Sequence, residues 1–175
     1  MSYLSYTKPM GNMMEILMRD HKRYLPIVEL LDNVSQNLSE LTWAECELIG
    51  KEICTDNKSA FCTGIRGGVI SALDGNRDVL TSTKFMPLLS FARKVNKDAS
   101  AITQADIDAV RQAGWSDQTI EDVVGLVAVN KFYNTISTSL GFGAVPNEAF
   151  AQMGAATIES GGYTPMFKAF LNAPG

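Results

Sequence analysis

Residues 102–141 read ITQADIDAVRQAGWSDQTIEDVVGLVAVNKFYNTISTSLG, and this stretch decides the fold class. It contains the start and stop signals of two consecutive helices. Thr103 is a typical N-cap residue and Gly114 a typical stop, while Ser116 and Gly141 have the same roles in the second helix. Because the run VVGLVAV is apolar nearly all round, we expect the second helix to be central and buried.

Further helix signals precede this stretch, and no segment alternates apolar and polar residues with the period of two typical of strands. Apolar spacing predicts a helix from Asn12 to Leu38, which Pro26 should kink or split. Thr42 followed three residues later by Glu45 is a capping-box pattern, so another helix should begin there.

The remaining segments also favour helices. One helix should begin near Ser59, one should span Lys84–Val95, and short helices should occupy the tail over residues 149–175. The glycines of the GIRGG motif weaken the first of these helices, but they permit close helix packing or close approach of a ligand. We therefore predict an all-α protein, and 175 residues suit a single domain over positions 1–175.

Composition excludes several classes of protein. With 46% hydrophobic and 19% charged residues, the chain is globular rather than disordered. The net charge is −4 and no stripe of lysines and arginines exists, so we expect no nucleic-acid partner. No apolar run reaches the roughly 18 residues of a membrane span. We see no signal peptide either, so we expect a cytoplasmic protein without a membrane partner.

The three cysteines are Cys46, Cys54 and Cys62, and His21 is the only histidine. An odd cysteine count argues against a structural disulfide framework. There is no CxxC pair, and the histidine is far from the cysteines in sequence. We therefore expect neither a metal nor a cofactor.

The segment over residues 43–143 resembles the alkylhydroperoxidase D-like proteins of the carboxymuconolactone decarboxylase superfamily, especially their peroxidase-related branch. Members carry a glutamate, a CxxC motif that begins twelve residues later, and a histidine four residues after the second cysteine. In this sequence Glu47 stands at the glutamate position and Cys62 at the second cysteine. Ser59 replaces the first cysteine, and Arg66 replaces the histidine.

The stretch over residues 102–141 also resembles the linker helix and long central helix of that family, although the arginine often found in the second half of the central helix is missing. The resemblance implies an all-helical, alkylhydroperoxidase D-like domain that assembles into a homo-oligomer, from a dimer to a hexamer. The N-terminal helices would then occupy 1–41, the family core 42–143, and a helical tail 144–175.

The resemblance also implies thiol-dependent reduction of hydroperoxides, but the substitutions alter that chemistry. Ser59 neither ionises near neutral pH nor forms a disulfide. Arg66 cannot act as a base, because its pKa stays above about 12. The two-thiol cycle is therefore not available within the motif. One hypothesis is a peroxidase of weak or altered activity that uses Cys62, a small-molecule substrate and an external thiol.

Each candidate residue also has a structural interpretation. Cys62 can be a small core residue, Ser59 a helix N-cap, and Glu47 with Arg66 a structural ion pair. On a helix, Cys62 and Arg66 share a face, so the guanidinium would favour a thiolate or hold a carboxylate. Glu47 could also act as a base. Cys54, eight residues before Cys62, is a candidate substitute for the missing resolving thiol.

Two further hypotheses belong to other functional classes. In the first, the protein is a non-redox, decarboxylase-like enzyme or a binder of a small carboxylate-bearing molecule. In the second, it is a catalytically inactive oligomeric homologue. A pocket between the Glu47 helix and the Cys62 helix that is closed by side chains would favour the inactive homologue, and an open pocket with convergent polar groups would count against it.

Overall fold

Helices form all the regular secondary structure in the part of the chain that the structure describes. The structure is a computed structural model that describes residues 2–7, 13–36 and 40–172. In these ranges the α-helices are α1 (Met13–Arg19), α2 (His21–Gln36), α3 (Trp43–Asp56), α4 (Ala60–Ala72), α5 (Phe85–Lys97), α6 (Gln104–Gln112), α7 (Asp117–Ser139), α8 (Asn147–Glu159) and α9 (Tyr163–Asn172). Two 3₁₀ helices span Arg77–Thr81 and Ala99–Ala101. Among the helices of these ranges, none combines the length and apolar character needed to cross a membrane.

Helix α7 is central, as the sequence predicts, and it packs against α2, α3, α5, α4 and α6. Its first turn is capped, because the Ser116 hydroxyl accepts a hydrogen bond from the Thr119 N–H at 3.2 Å. Gly141 follows its last turn with a φ of 77°. Burial does not extend all round the helix, because Val124 is 41% exposed. The neighbouring helices cover only the side of α7 that carries Val123.

Two capping boxes fix the starts of α3 and α6. The Thr42 hydroxyl accepts from the Glu45 N–H at 3.3 Å, and the Glu45 carboxylate accepts from the Thr42 N–H at 2.8 Å. Thr103 and Asp106 form the same reciprocal arrangement at the start of α6. The helix starts predicted from Thr42 and Thr103 are therefore confirmed.

The N-terminal helical segment is divided in two, but not at Pro26. The break falls at Asp20, whose carbonyl accepts the first hydrogen bonds of α2. Pro26 lies inside α2 on its exposed side. Its missing N–H frees only the carbonyl of Lys22, an exposed residue, and water can satisfy that group. The predicted ends at Asn12 and Leu38 lie outside the described residues.

A short turn over residues 57–59 joins α3 to α4 and brings the two helices together as a hairpin. Lys58 has a left-handed φ of 56°, which reverses the chain direction. The N–H of Ser59 then donates to the carbonyl of Cys54 at 2.9 Å. The last turn of α3 is thereby held against the first turn of α4.

Glycines allow α4 and α8 to cross at close range, which is one of the two possibilities that the GIRGG motif offers. A Cβ atom added to Gly68 would overlap the carbonyl oxygen of Phe150, and one added to Gly154 would overlap the backbone of Gly68. Gly64 likewise makes room for the Phe150 ring. This contact fixes α4, which carries the candidate site, against the C-terminal helices.

Candidate active site

Cys62 lines an apolar cavity, and the space in it that is available to water-sized molecules is about 60 Å³. It lies in the first turn of α4, and Arg66, one turn later, lines the same cavity. The other walls come mainly from apolar side chains of α1, α2, α8 and α9. A single water needs about 10–15 Å³ of such space, so the cavity accepts only a few water-sized groups. It is open rather than filled by side chains.

Glu47 and Arg66 form a buried ion pair between α3 and α4. Arg66 Nη1 donates to Glu47 Oε2 at 2.7 Å, and the two side chains are 4% and 0% exposed. Tyr163 Oη donates to the same oxygen at 3.0 Å, and Trp43 Nε1 donates to Oε1 at 3.1 Å. Three donors, one of them a cation, hold this carboxylate in place. The arrangement therefore favours a structural pair over a general base.

Two further residues hold the guanidinium of Arg66 in place. Its Nη2 donates to Asn130 Oδ1 at 2.9 Å, and Asn130 Nδ2 donates to the Leu126 carbonyl at 2.7 Å. A Cβ atom on Gly50 would lie 2.7 Å from Arg66 Nε, so the glycine on α3 makes room for the side chain. Arg66 is thus positioned by α3 and α7 as well as by its own helix.

Cys54, on the neighbouring helix, lies close to Cys62. Asn134 Nδ2 donates to Cys54 Sγ at 3.2 Å, and the Cys54 thiol donates to Asn130 Oδ1 at 3.5 Å. Cys46 is a fully buried core residue, as predicted, and burial raises the pKa of its thiol.

The surroundings of Cys62 favour its thiolate. The Cys54 thiol is the largest cause: it can turn from Asn130 to donate to the ionised sulfur, which lowers the pKa of Cys62 to about 6 against the opposing effect of burial. The side chains of Ser59 and Asn134 and the charge of Arg66 act in the same direction. The pKa of Cys54 is raised well above its ordinary value, because it gives that hydrogen bond and is buried.

Ser59 stands at the N-cap position of α4, but its side chain makes no capping hydrogen bond. The predicted N-cap position of Ser59 is confirmed, but the side-chain hydrogen bond typical of a serine cap is absent. The side chain turns inward instead, is 2% exposed, and its hydroxyl has no hydrogen-bond partner among the described residues. Because this hydroxyl lies close to Cys62, it can donate to the sulfur once the thiol ionises.

Tyr133 provides a second buried hydroxyl at the same place. It lines the cavity with Cys62, is 5% exposed, and its Oη has no hydrogen-bond partner in the part of the chain that the structure describes. Burial raises the pKa of Tyr133, so the group stays protonated and able to donate. A buried hydroxyl without a partner at a cavity indicates a site that a polar ligand atom can complete.

The four residues predicted from the sequence come together in one region, although only Cys62 and Arg66 line the cavity. Sequence reasoning missed five residues of the site: Trp43, Asn130, Tyr133, Asn134 and Tyr163. The two asparagines were detectable as polar residues four apart on an apolar helix. The contact with Tyr163 has no local signal, since it depends on where α9 packs.

The described ranges contain no group of three or more histidine, cysteine, aspartate and glutamate side chains placed to hold a metal ion.

Known proteins resemble this chain in their structure rather than in their sequence. No family model and no curated protein matches its sequence. A solved structure described as the alkylhydroperoxidase AhpD core, an uncharacterized peroxidase-related protein from Ralstonia eutropha JMP134, matches with a TM-score of 0.70 and 22% identity, covering 80% of this chain and 78% of that chain. The chain has the alkylhydroperoxidase D-like fold.

A second solved structure has the same alkylhydroperoxidase D-like architecture. It is an uncharacterized peroxidase-related protein from Silicibacter sp. TM1040, with a TM-score of 0.69 and 17% identity, covering 86% of this chain and 94% of that chain. At these identities the likeness establishes the fold, and the chemistry has to be argued from the site.

Proposed function

We propose that the protein reduces small organic hydroperoxides, with Cys62 as the attacking thiol and an external thiol as the reductant. The observation that carries this proposal is the position of Cys62, which lines an open cavity while donors and Arg66 favour its thiolate. The thiolate is the nucleophilic form of cysteine. Since Ser59 supplies no thiol, we expect activity that differs from that of a CxxC site.

The first step follows from the groups around the cavity. The Cys62 thiolate attacks one peroxide oxygen, so that an S–O bond forms and the O–O bond breaks. The products are a Cys62 sulfenic acid and an alkoxide, which takes a proton to become an alcohol. The Tyr133 side chain lines the same cavity, and we assign its hydroxyl, which has no partner among the described residues, as the donor to the leaving oxygen. The apolar walls favour an alkyl hydroperoxide over hydrogen peroxide.

The main alternative is a carboxylate-bearing ligand held by Arg66, which also lines the cavity. Such a ligand would have to compete with Glu47, which already neutralises the guanidinium at 2.7 Å. This alternative predicts that function survives in a cysteine-free variant and is lost in Arg66→Ala. An inactive homologue is less well supported, because the cavity is open and borders on the unpartnered Tyr133 hydroxyl.

The test is the rate of tert-butyl hydroperoxide consumption in the presence of dithiothreitol. We expect Cys62→Ala to lose the protein-dependent rate and the matched core variant Cys46→Ala to keep it. The wild-type protein should also consume tert-butyl hydroperoxide faster than hydrogen peroxide. Equal rates in the wild type and Cys62→Ala would exclude the proposed function.

A further inference from the structure

We infer that Cys54 is the resolving thiol of this site, which condenses with an oxidised Cys62 to form a disulfide between α3 and α4. The inference rests on the proposed function, in which hydroperoxide oxidises Cys62. It assigns the role of the missing motif cysteine to a residue on a different helix, outside the Ser59-x-x-Cys62 motif.

The hairpin between α3 and α4 explains why Cys54 can take this role. Ser59 lies one turn before Cys62, at the position where the resembled motif has its first cysteine. The Ser59 N–H donates to the Cys54 carbonyl at 2.9 Å, so Cys54 lies directly beside the position that lacks a thiol. Asn134 Nδ2 fixes the Cys54 sulfur by a 3.2 Å hydrogen bond.

The two sulfurs differ in access, which separates their roles. Cys62 lines the cavity, whereas Cys54 is fully buried and is not part of the cavity wall. A hydroperoxide in the cavity therefore meets Cys62 first. The Cys54 sulfur lies 3.5 Å from Asn130 Oδ1, and Asn130 lines the cavity together with Cys62, so Cys54 is placed to attack the oxidised sulfur from the neighbouring helix.

The chemistry balances without a metal or a cofactor. The sulfur of Cys54 attacks the sulfur of the Cys62 sulfenic acid, so that an S–S bond forms and the S–O bond breaks. The departing hydroxide takes the proton of the Cys54 thiol and leaves as water. An external dithiol then reduces the disulfide by exchange, becomes a disulfide itself, and returns both cysteines to thiols.

The experiment treats the reduced protein with one equivalent of tert-butyl hydroperoxide and then determines free thiols, dimedone adducts and cross-linked peptides by mass spectrometry. We expect the wild type and the control Cys46→Ala to lose two thiols and to give a Cys54–Cys62 cross-linked peptide. Cys54→Ser keeps a hydroxyl donor beside Cys62. It should therefore still react, but lose one thiol and accumulate a dimedone-reactive sulfenic acid on Cys62.

A second experiment uses diamide, which oxidises neighbouring thiols without a peroxide. It distinguishes a failure of the proposed function from a failure of the resolving role of Cys54. If the wild type reacts with hydroperoxide but accumulates as much sulfenic acid as Cys54→Ser, Cys54 is not the resolving thiol and the proposed function stands. If diamide gives the Cys54–Cys62 disulfide but hydroperoxide gives no reaction, the proposed function fails, and with it resolution by Cys54. The pairing of the sulfurs would still stand.

Discussion

At the scale of single residues, burial does not distinguish Cys62 from Cys46, since both side chains are almost completely inaccessible. The exposed fractions are 4% and 0%. The difference lies in the groups around each sulfur: burial raises the pKa of Cys46, whereas the Cys54 thiol lowers that of Cys62. A buried cysteine is therefore a core residue or a nucleophile according to the donors that its sulfur meets.

Tyr133→Phe tests the donor that we assign to the leaving oxygen. We expect oxidation of Cys62 by tert-butyl hydroperoxide to slow by about 100-fold, a typical contribution of a positioned acid. Protein stability should not fall, because the hydroxyl has no partner to lose among the described residues. Stopped-flow oxidation and urea unfolding measure the two effects. An unchanged rate would show that Tyr133 does not take part.

Glu47→Gln tests the structural interpretation of the ion pair. Removing the carboxylate charge leaves Arg66 buried without its counter-charge, so we expect a loss of about 3–5 kcal/mol in the free energy of unfolding. The control is the double variant Glu47→Leu/Arg66→Met, which removes both charges and should cost less than the single change. Urea unfolding compares them. A single variant as stable as the wild type would contradict a structural role.

At the scale of helices, the site depends on α4 being held on two sides. The hairpin sets Cys54 against Cys62 on one side, and the close crossing with α8 holds the glycine-bearing face on the other. Gly67 and Gly68 are adjacent in sequence, but they face different surroundings. Gly68 meets the Phe150 backbone, while a Cβ on Gly67 would lie 3.9 Å from the Lys51 side chain.

Replacing each of these two glycines with alanine should change the free energy of unfolding in opposite directions. Gly68→Ala forces α4 and α8 apart and should reduce the free energy of unfolding by about 1–3 kcal/mol. Gly67→Ala meets only an ordinary contact and should raise it by up to about 1 kcal/mol, because alanine favours the helix more than glycine does. Chemical unfolding of both variants measures the difference. Equal effects would contradict the close crossing.

At the scale of the whole molecule, the sequence predicts local features better than contacts between distant segments. The capping box at Thr42 can be predicted from the sequence because its two partners are three residues apart. The prediction of a helix break at Pro26 is wrong, since the free-energy cost of a proline inside a helix depends on whether water can reach the freed carbonyl.

The site was predictable only in part for the same reason. Glu47, Cys62 and Arg66 could be found through a motif, because their spacing along the chain is fixed. Tyr163 reaches Glu47 across 116 positions, and that contact depends on how α9 packs. The contact of Cys54 with Cys62 depends likewise on the turn between two helices, so spacing alone left it as one alternative among several.

The most direct test of the account is the pH dependence of alkylation at each cysteine of the folded protein, measured by iodoacetamide labelling and peptide mass spectrometry. Because the pKa of Cys62 is lowered, its thiolate should persist well below the ordinary cysteine value of about 8.5, and labelling should fall as the pH drops through about 6. Cys46 should stay unlabelled. Labelling of Cys62 that falls only near pH 8.5, or that requires unfolding, would contradict an accessible, stabilised thiolate at the centre of the site.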